Sequence, residues 1–193
     1  MKWVVAAIVV FMVGYTLVNL YYRKPGRGYR PYQDAQDRAT TARLLNAGWH
    51  KVPAEFGRPI DKPSVDAAAN VTRAAVGLGA DLAPNFAEAP KLLATIDRVV
   101  APRTVARGET YQAFFTATLV DQKAQLGEVA LFQKGRELVL IPSPEALPGK
   151  ALMSRWSDST YSLTFATAGL EPGQYEVRLV AKGPAAAWSF EVK

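Results

Sequence analysis

The feature that most constrains this chain is a run without charge that follows Lys2 and reads WVVAAIVVFMVGYTLVNLYY. As an α-helix, about twenty residues rise about 30 Å, which matches the hydrocarbon core of a bilayer. Trp3 near one end and Tyr21 and Tyr22 at the other are placed like the interfacial aromatic residues of membrane helices. A cleavable signal peptide has a shorter apolar core and small residues before its cleavage site. We therefore predict an uncleaved transmembrane anchor over residues 1–22.

A basic hinge of residues 23–32 follows this anchor and is rich in Pro and Gly, which prevent the helix from continuing. Residues 23–62 carry nine Lys and Arg against four Asp and Glu, a net charge of +5, whereas residues 95–193 are close to neutral. We expect the cluster nearest the anchor to lie along the lipid headgroups, either as a solvated collar or as a docking motif. Its members are Arg23, Lys24, Arg27 and Arg30.

The hinge and the start of the chain predict opposite orientations. The basic residues after the anchor outnumber those before it, and the positive-inside rule then places the bulk of the protein in the cytoplasm. A single early apolar helix directly after Met-Lys is, in contrast, the usual start of an exported protein. We favour a single-pass protein of the inner (cytoplasmic) membrane with its C-terminal domain on the periplasmic, extracytoplasmic side, and both orientations stay open.

Residues 33–94 are predicted to form short helices joined by Pro-rich linker. Acids in the first turn and Gly48 as a stop predict a helix from Gln33 to Ala47. A Ser cap and several alanines predict a second helix over 64–76. Trp49 is either a packed aromatic or a contact to a partner.

Residues 95–193 alternate in the manner of strands, with Tyr111, Ala113, Phe115, Ala117 and Leu119 on one face. Turns are expected at 107–108, at 134–135 and near 183–184. Six or seven short strands at this spacing predict an antiparallel β-sandwich. The fold class is thus a membrane-anchored α+β chain: one transmembrane helix, a short helical linker region and a C-terminal sandwich.

The stretch LEPGQYEV, residues 170–177, resembles the corner before the F strand of immunoglobulin-like and fibronectin type III-like domains. In those domains a tyrosine hydroxyl, here that of Tyr175, bonds back to the preceding turn. The cysteine pair of antibody domains is missing, and Val177 stands where the second cysteine would fall. The resemblance is therefore to the broad bacterial family of such modules. It implies a fold and a binding habit rather than an activity.

The layout of the whole chain resembles that of membrane-anchored assembly proteins for copper-containing cytochrome oxidases. The shared features are an N-terminal anchor with an Asn and paired tyrosines, a short basic segment, a helix ending in Gly-Trp and a small sandwich. The long segment 50–94 is not part of that pattern. This resemblance implies a role in maturing a respiratory complex.

Few residues suit catalysis or metal binding. The chain has no cysteine and a single histidine, His50, so a zinc or copper site would consist mostly of carboxylates. The same histidine is the only base available to a serine nucleophile. No phosphate-binding loop is present, and the nearly neutral C-terminal region lacks a basic stripe with interleaved aromatics. We therefore predict no enzyme activity, no catalytic, cofactor or metal site and no nucleic-acid partner.

The expected partners are the bilayer, through residues 3–22, and an integral membrane complex. Within the sandwich, the loop 143–159 carries Met153, Arg155 and Trp156, which are residue types enriched in interfaces. Trp156 alternatively caps the core. We predict a non-catalytic accessory or assembly subunit that docks its sandwich on a larger membrane complex, and the layout resemblance implies a respiratory one. A free-standing tethered module for a soluble protein or ligand is the alternative, and an enzyme that uses carboxylates alone is the third.

Overall fold

A computed structural model describes residues 2–22, 31–59, 68–119, 121–147 and 158–193, with the backbone alone at 20–22 and 31–34. Two compact units divide the chain, residues 1–35 and 36–193. Helix α1, Lys2–Tyr22, belongs to the first unit. Helix α2, Pro31–Asn46, matches the predicted helix closely. The strands are β1 His50–Val52, β2 Ala54–Gly57, β3 Thr72–Ala74, β4 Thr95–Val100, β5 Thr104–Val105, β6 Thr110–Thr118, β7 Ala124–Lys134, β8 Glu137–Ala146, β9 Asp158–Ala166, β10 Gly173–Leu179 and β11 Ala185–Val192, with a 3₁₀ turn at Ala83–Asn85.

The strands form two sheets. The larger sheet has the order β1-β7-β8-β10-β11-β3, and β5 also pairs with β11. The smaller sheet has the order β2-β9-β6-β4 and is antiparallel throughout. The chain passes directly from one sheet to the other at Pro53, between β1 and β2.

The larger sheet is mixed, so the prediction of a wholly antiparallel arrangement is wrong for it. β8 and β10 pair in parallel, as do β5 and β11. Between β8 and β10 the chain visits β9 in the smaller sheet, and this crossover returns it in its original direction.

Three strands lie where the sequence predicted short helices and linker. β1 and β2 pair with β7 and β9, and β3 pairs with residues 185–187 of β11. The second predicted helix is therefore wrong at Thr72–Ala74, the part of 64–76 that forms β3. Pairing along the edge of β11 satisfies the backbone there and overrides a modest helix propensity.

Both sheets contribute to one hydrophobic core. The predicted inward face of β6 is confirmed, because Tyr111, Ala113, Phe115 and Ala117 are all buried. Aromatic rings fill the centre of this core, with the ring centroids of Tyr111 and Phe190 4.1 Å apart.

A second cluster, here called the outer cluster, covers part of the larger sheet. Its strand residues are Phe132, Val139 and Ile141, Val180 directly follows β10, and its other members are Leu44, Trp49, Leu78 and Leu82. The outer cluster lies on strands whose other face supplies the main core. β8 is therefore buried on both faces, which accounts for its continuous apolar run.

The C-terminal end of α2 packs into the outer cluster, and Gly48 ends the helix there. Gly48 adopts φ +84°, and the N–H of Trp49 donates to the carbonyl of Leu44 over 2.8 Å. This is a Schellman ending, in which the residue after the glycine also packs on the last turn. The predicted role of Gly48 is confirmed.

Candidate binding surfaces

Helix α1 presents apolar side chains on every side. Their exposed fractions run from 54% at Val9 to 89% at Trp3, so no described residue of its unit covers them. Its polar side chains bond within the helix: Thr16 Oγ1 donates to the carbonyl of Met12, and Asn19 Nδ2 to that of Tyr15. By length and composition, Lys2–Asn19 is able to span a membrane, a property that signal sequences share.

Trp49 is fully buried in the outer cluster, which favours the interpretation as a packed aromatic. The ammonium of Lys134 lies 5.6 Å from its ring centroid, a cation–π arrangement. Trp49 Nε1 has no hydrogen-bond partner among the described residues. The other predicted site residues lie outside the described residues: Arg23, Lys24, Arg27, Arg30, Met153, Arg155 and Trp156.

The hydroxyl of Tyr175 bonds back to the preceding turn, as predicted. It accepts a hydrogen bond from the N–H of Glu171 over 2.9 Å and donates one to the carbonyl of Glu171 over 3.0 Å. Tyr175 is buried, Glu171 is exposed, and the two hydrogen bonds between them are partly buried. This hydroxyl fixes the turn that leads into β10.

A second buried hydroxyl, that of Tyr111, links three parts of the core. It accepts from Trp188 Nε1 over 2.9 Å and donates to the carbonyl of Pro102 over 3.0 Å. Burial raises the pKa of Tyr111 well above its ordinary range, and the hydrogen bond from Trp188 offsets a smaller part of that effect. The phenol is thus held neutral as a structural link.

Arg178 joins the segment before the 3₁₀ turn to the larger sheet. Its Nη2 lies 3.6 Å from Asp81 and 3.5 Å from Glu137, while its Nε and Nη2 make no hydrogen bond among the described residues. These are long ion pairs between partly exposed groups, and such pairs stabilise only weakly. Gly79, at φ +81°, makes room for the guanidinium, because a Cβ there would lie 2.6 Å from Nη1.

A cleft of about 530 Å³ opens where β7 begins and β8 ends. We call it the lysine cleft. Its apolar floor is formed by side chains from three segments, Pro90, Leu92, Ala124, Pro144 and Ala146. Its charged lining consists of Lys91, Lys123, Lys182, Asp121 and Glu145.

The two acids of the lysine cleft are engaged by their own surroundings. Asp121 Oδ1 accepts from the N–H of Lys123 over 2.9 Å, and Glu145 Oε1 accepts from Gln125 Nε2 over 3.0 Å. The Glu145 side chain lies on Gly127, where an added Cβ would come within 2.8 Å of it. The three lysines form no ion pair with any described residue. With three lysines and two acids, the lining has a net charge of +1.

Backbone hydrogen bonds hold the walls of the lysine cleft together. The N–H of Lys182 donates to the carbonyl of Leu93 over 2.8 Å, and that of Leu147 to the carbonyl of Lys123 over 2.9 Å. The lysines are far apart in sequence and meet through these contacts. No local sequence motif indicates that these three lysines lie together, so the cleft was not predicted from the sequence.

Over the described residues, no group of three or more His, Asp or Glu lies close enough to hold a metal ion. Comparison with known proteins finds no matching family model, curated protein or solved structure.

Proposed function

We propose that this protein is a single-pass membrane accessory or assembly subunit without catalytic activity, whose C-terminal unit docks on a larger membrane complex. The observation that carries the proposal is the uncovered apolar surface of α1, exposed on all sides over Lys2–Asn19. Burying one large aliphatic side chain is favourable by about 1.5–3 kcal/mol. A helix with so many exposed ones is stable only when lipid or other helices surround it.

The internal hydrogen bonds of α1 support a membrane setting. With Thr16 and Asn19 bonded to their own backbone, the helix presents few unsatisfied groups to hydrocarbon. An uncleaved anchor keeps the C-terminal unit at the membrane surface, where a complex with exposed domains is within its reach.

The fold of the C-terminal unit is proposed to be an immunoglobulin-like sandwich. The shared core of the two sheets and the hydroxyl of Tyr175 on its turn support this assignment. The parallel pairing of β8 and β10 is a departure from the usual pattern. Domains of this kind act mostly by binding through loops or sheet faces, and the non-catalytic role is proposed on that ground.

Insertion of α1 is tested by Val10→Lys, which places a charge near the middle of the helix. Such a lysine disfavours insertion by about 2.5–3.5 kcal/mol. We expect most of the variant to be extracted from membranes by alkaline carbonate. Val76→Lys is the matched control, because Val76 is also an exposed valine, at 63%, but lies in the second unit. Equal retention of Val10→Lys and wild type would contradict the anchor.

The accessory role is tested by purification in mild detergent, where we expect a stoichiometric integral membrane partner. Replacing residues 2–19 with an unrelated transmembrane helix separates the two binding hypotheses. Loss of the partner with the replacement helix indicates that α1 packs on the complex. Full function with the replacement helix indicates the alternative, a free-standing tethered module. Purification of the native protein without any membrane partner would contradict the accessory role.

A further inference from the structure

We propose that the lysine cleft binds a small anionic amphiphile, a free fatty acid, with its carboxylate among Lys91, Lys123 and Lys182 and its apolar body on Leu92 and Pro144. This site goes beyond the docking role and stands independently of it. The proposal rests on the shape, the charge and the backbone of the cleft.

The shape fits a small molecule. A volume of about 530 Å³ falls in the range of small-molecule pockets, about 300–1,000 Å³. Such pockets combine a mainly apolar lining with a few polar groups that fix orientation. Here the apolar floor and the charged lining belong to the same cleft, so one ligand is able to contact both.

The charge selects an anion. Each lysine adds a positive charge without an ion-pair partner among the described residues, whereas Asp121 and Glu145 already accept hydrogen bonds from the backbone N–H of Lys123 and from Gln125 Nε2. An incoming carboxylate therefore meets a lining of three lysines and two acids, with a net charge of +1, and displaces no acid from an ion pair with these lysines. A neutral amphiphile gains only the contacts with the apolar floor of the cleft.

The backbone at the cleft disfavours an added peptide strand. Pro144 lines the cleft and Pro142 lies two residues earlier in β8. Neither has an N–H group, so this part of β8 lacks two of the donors that an added strand would need. Because recognition at this place depends on side chains, we assign it to a small ligand rather than to an acidic peptide.

The experiment uses the full chain in nanodiscs of phosphatidylcholine, labelled with dodecanoic acid that carries a photoreactive diazirine. We expect saturable labelling of peptides that contain 90–92, 121–124 or 144–146, with unmodified dodecanoic acid as competitor. The matching diazirine alcohol should label these peptides about tenfold less, since it lacks the charge. Equal labelling by the alcohol would show an apolar groove without anion recognition and would overturn the proposal.

The variant Lys91→Gln/Lys123→Gln/Lys182→Gln should lose labelling by about tenfold or more. Arg73→Gln/Arg98→Gln/Arg107→Gln removes the same charge from exposed positions outside the cleft and should label as wild type. If the lysine triple variant does not fold, Lys182→Gln alone should still reduce labelling more than Arg98→Gln. Unchanged labelling of a folded lysine variant contradicts the site.

Two competitors decide the source of the anion. Inorganic phosphate should compete poorly, and competition as strong as that of dodecanoic acid would show a bare anion site. Nanodiscs that contain phosphatidylglycerol should leave labelling unchanged. Its abolition there would assign the cleft to a lipid headgroup and overturn the choice of a free amphiphile.

Discussion

At the scale of single residues, two buried tyrosines each use one hydroxyl to hold two hydrogen-bonding groups of other residues. The hydroxyl of Tyr175 serves both backbone groups of Glu171, and that of Tyr111 serves Trp188 and Pro102. Removing a buried hydroxyl leaves its former partners unsatisfied, and the loss then exceeds the net value of the bond itself.

Tyr175→Phe should lower the free energy of unfolding by about 1–3 kcal/mol, because both groups of Glu171 lose their partner. Urea unfolding of the protein in detergent measures this. Tyr161→Phe is the matched control, since Tyr161 is also buried in the core but its hydroxyl forms no hydrogen bond with the described residues. If Tyr175→Phe were as stable as the control, the hydroxyl of Tyr175 would have no stabilising role at the turn before β10.

Tyr111 should make stability fall with rising pH above about 10. Its pKa is raised in the folded protein, so the unfolded chain loses the phenolic proton first and binds fewer protons in that range. Below the ordinary pKa both states are protonated, and the contribution is fully present. In Tyr111→Phe the decline of unfolding free energy with pH should be shallower by about 1.4 kcal/mol per pH unit, measured by urea unfolding at several alkaline pH values. An unchanged slope would mean that the phenol ionises in the folded state.

At the scale of elements, the turn between β10 and β11 is bonded to the chain that enters β4. The N–H of Gly183 donates to the carbonyl of Ala94 over 2.7 Å, and the N–H of Ile96 donates to the carbonyl of Pro184 over 2.9 Å. This turn therefore links the larger sheet to the smaller one through backbone groups alone.

Gly183→Ala should destabilise this link, because an added Cβ would lie 2.8 Å from the carbonyl oxygen of Ala94. Overpacking of this kind lowers the free energy of unfolding by about 1–3 kcal/mol. Gly169→Ala is the control, since a Cβ there meets nothing within 4 Å. Hydrogen exchange should increase at Gly183 and Ile96 in the first variant, and equal stability of the two variants would contradict the close packing.

The elements with strong local signals were predictable from the sequence. Alternation marked β6, and the glycines at 108, 135 and 183 marked turns that the structure confirms. β3 was not predictable, because its alanine-rich surroundings favour a helix and only the distant edge of β11 makes it a strand. The parallel pairing of β8 with β10 likewise depends on the crossover through β9, which leaves no local pattern.

The candidate sites divide in the same way. The apolar run of α1 is a property of consecutive residues and was found directly. The burial of Trp49 depends on Leu82, Phe132 and Val180, which the fold brings to it. Lys91, Lys123 and Lys182 share a cleft only after three distant segments have met, so no reading of neighbouring residues reveals them.

At the scale of the whole molecule, the side of the membrane on which the second unit lies is the prediction with the widest consequence. The chain has no native cysteine, so Ala168→Cys, at an exposed position, provides a single reporter. We expect it to react with a membrane-impermeant maleimide in intact cells, as the extracytoplasmic orientation requires. Gln36→Cys and Ala168→Cys should be labelled alike, because both belong to the second unit. Protection until lysis would instead place the unit in the cytoplasm, in line with the basic hinge.

The passage of the chain from β1 to β2 at Pro53 has a mechanical consequence. Any tension transmitted along the chain from α1 meets first the embedded end of α2 at Leu44 and Trp49, and then two short strands in different sheets. Pulling on this segment loads the ladder with β7 and the ladder with β9 in succession. Tension on the N-terminal end of the second unit is therefore resisted at β1 and β2 before it reaches the central strands of either sheet.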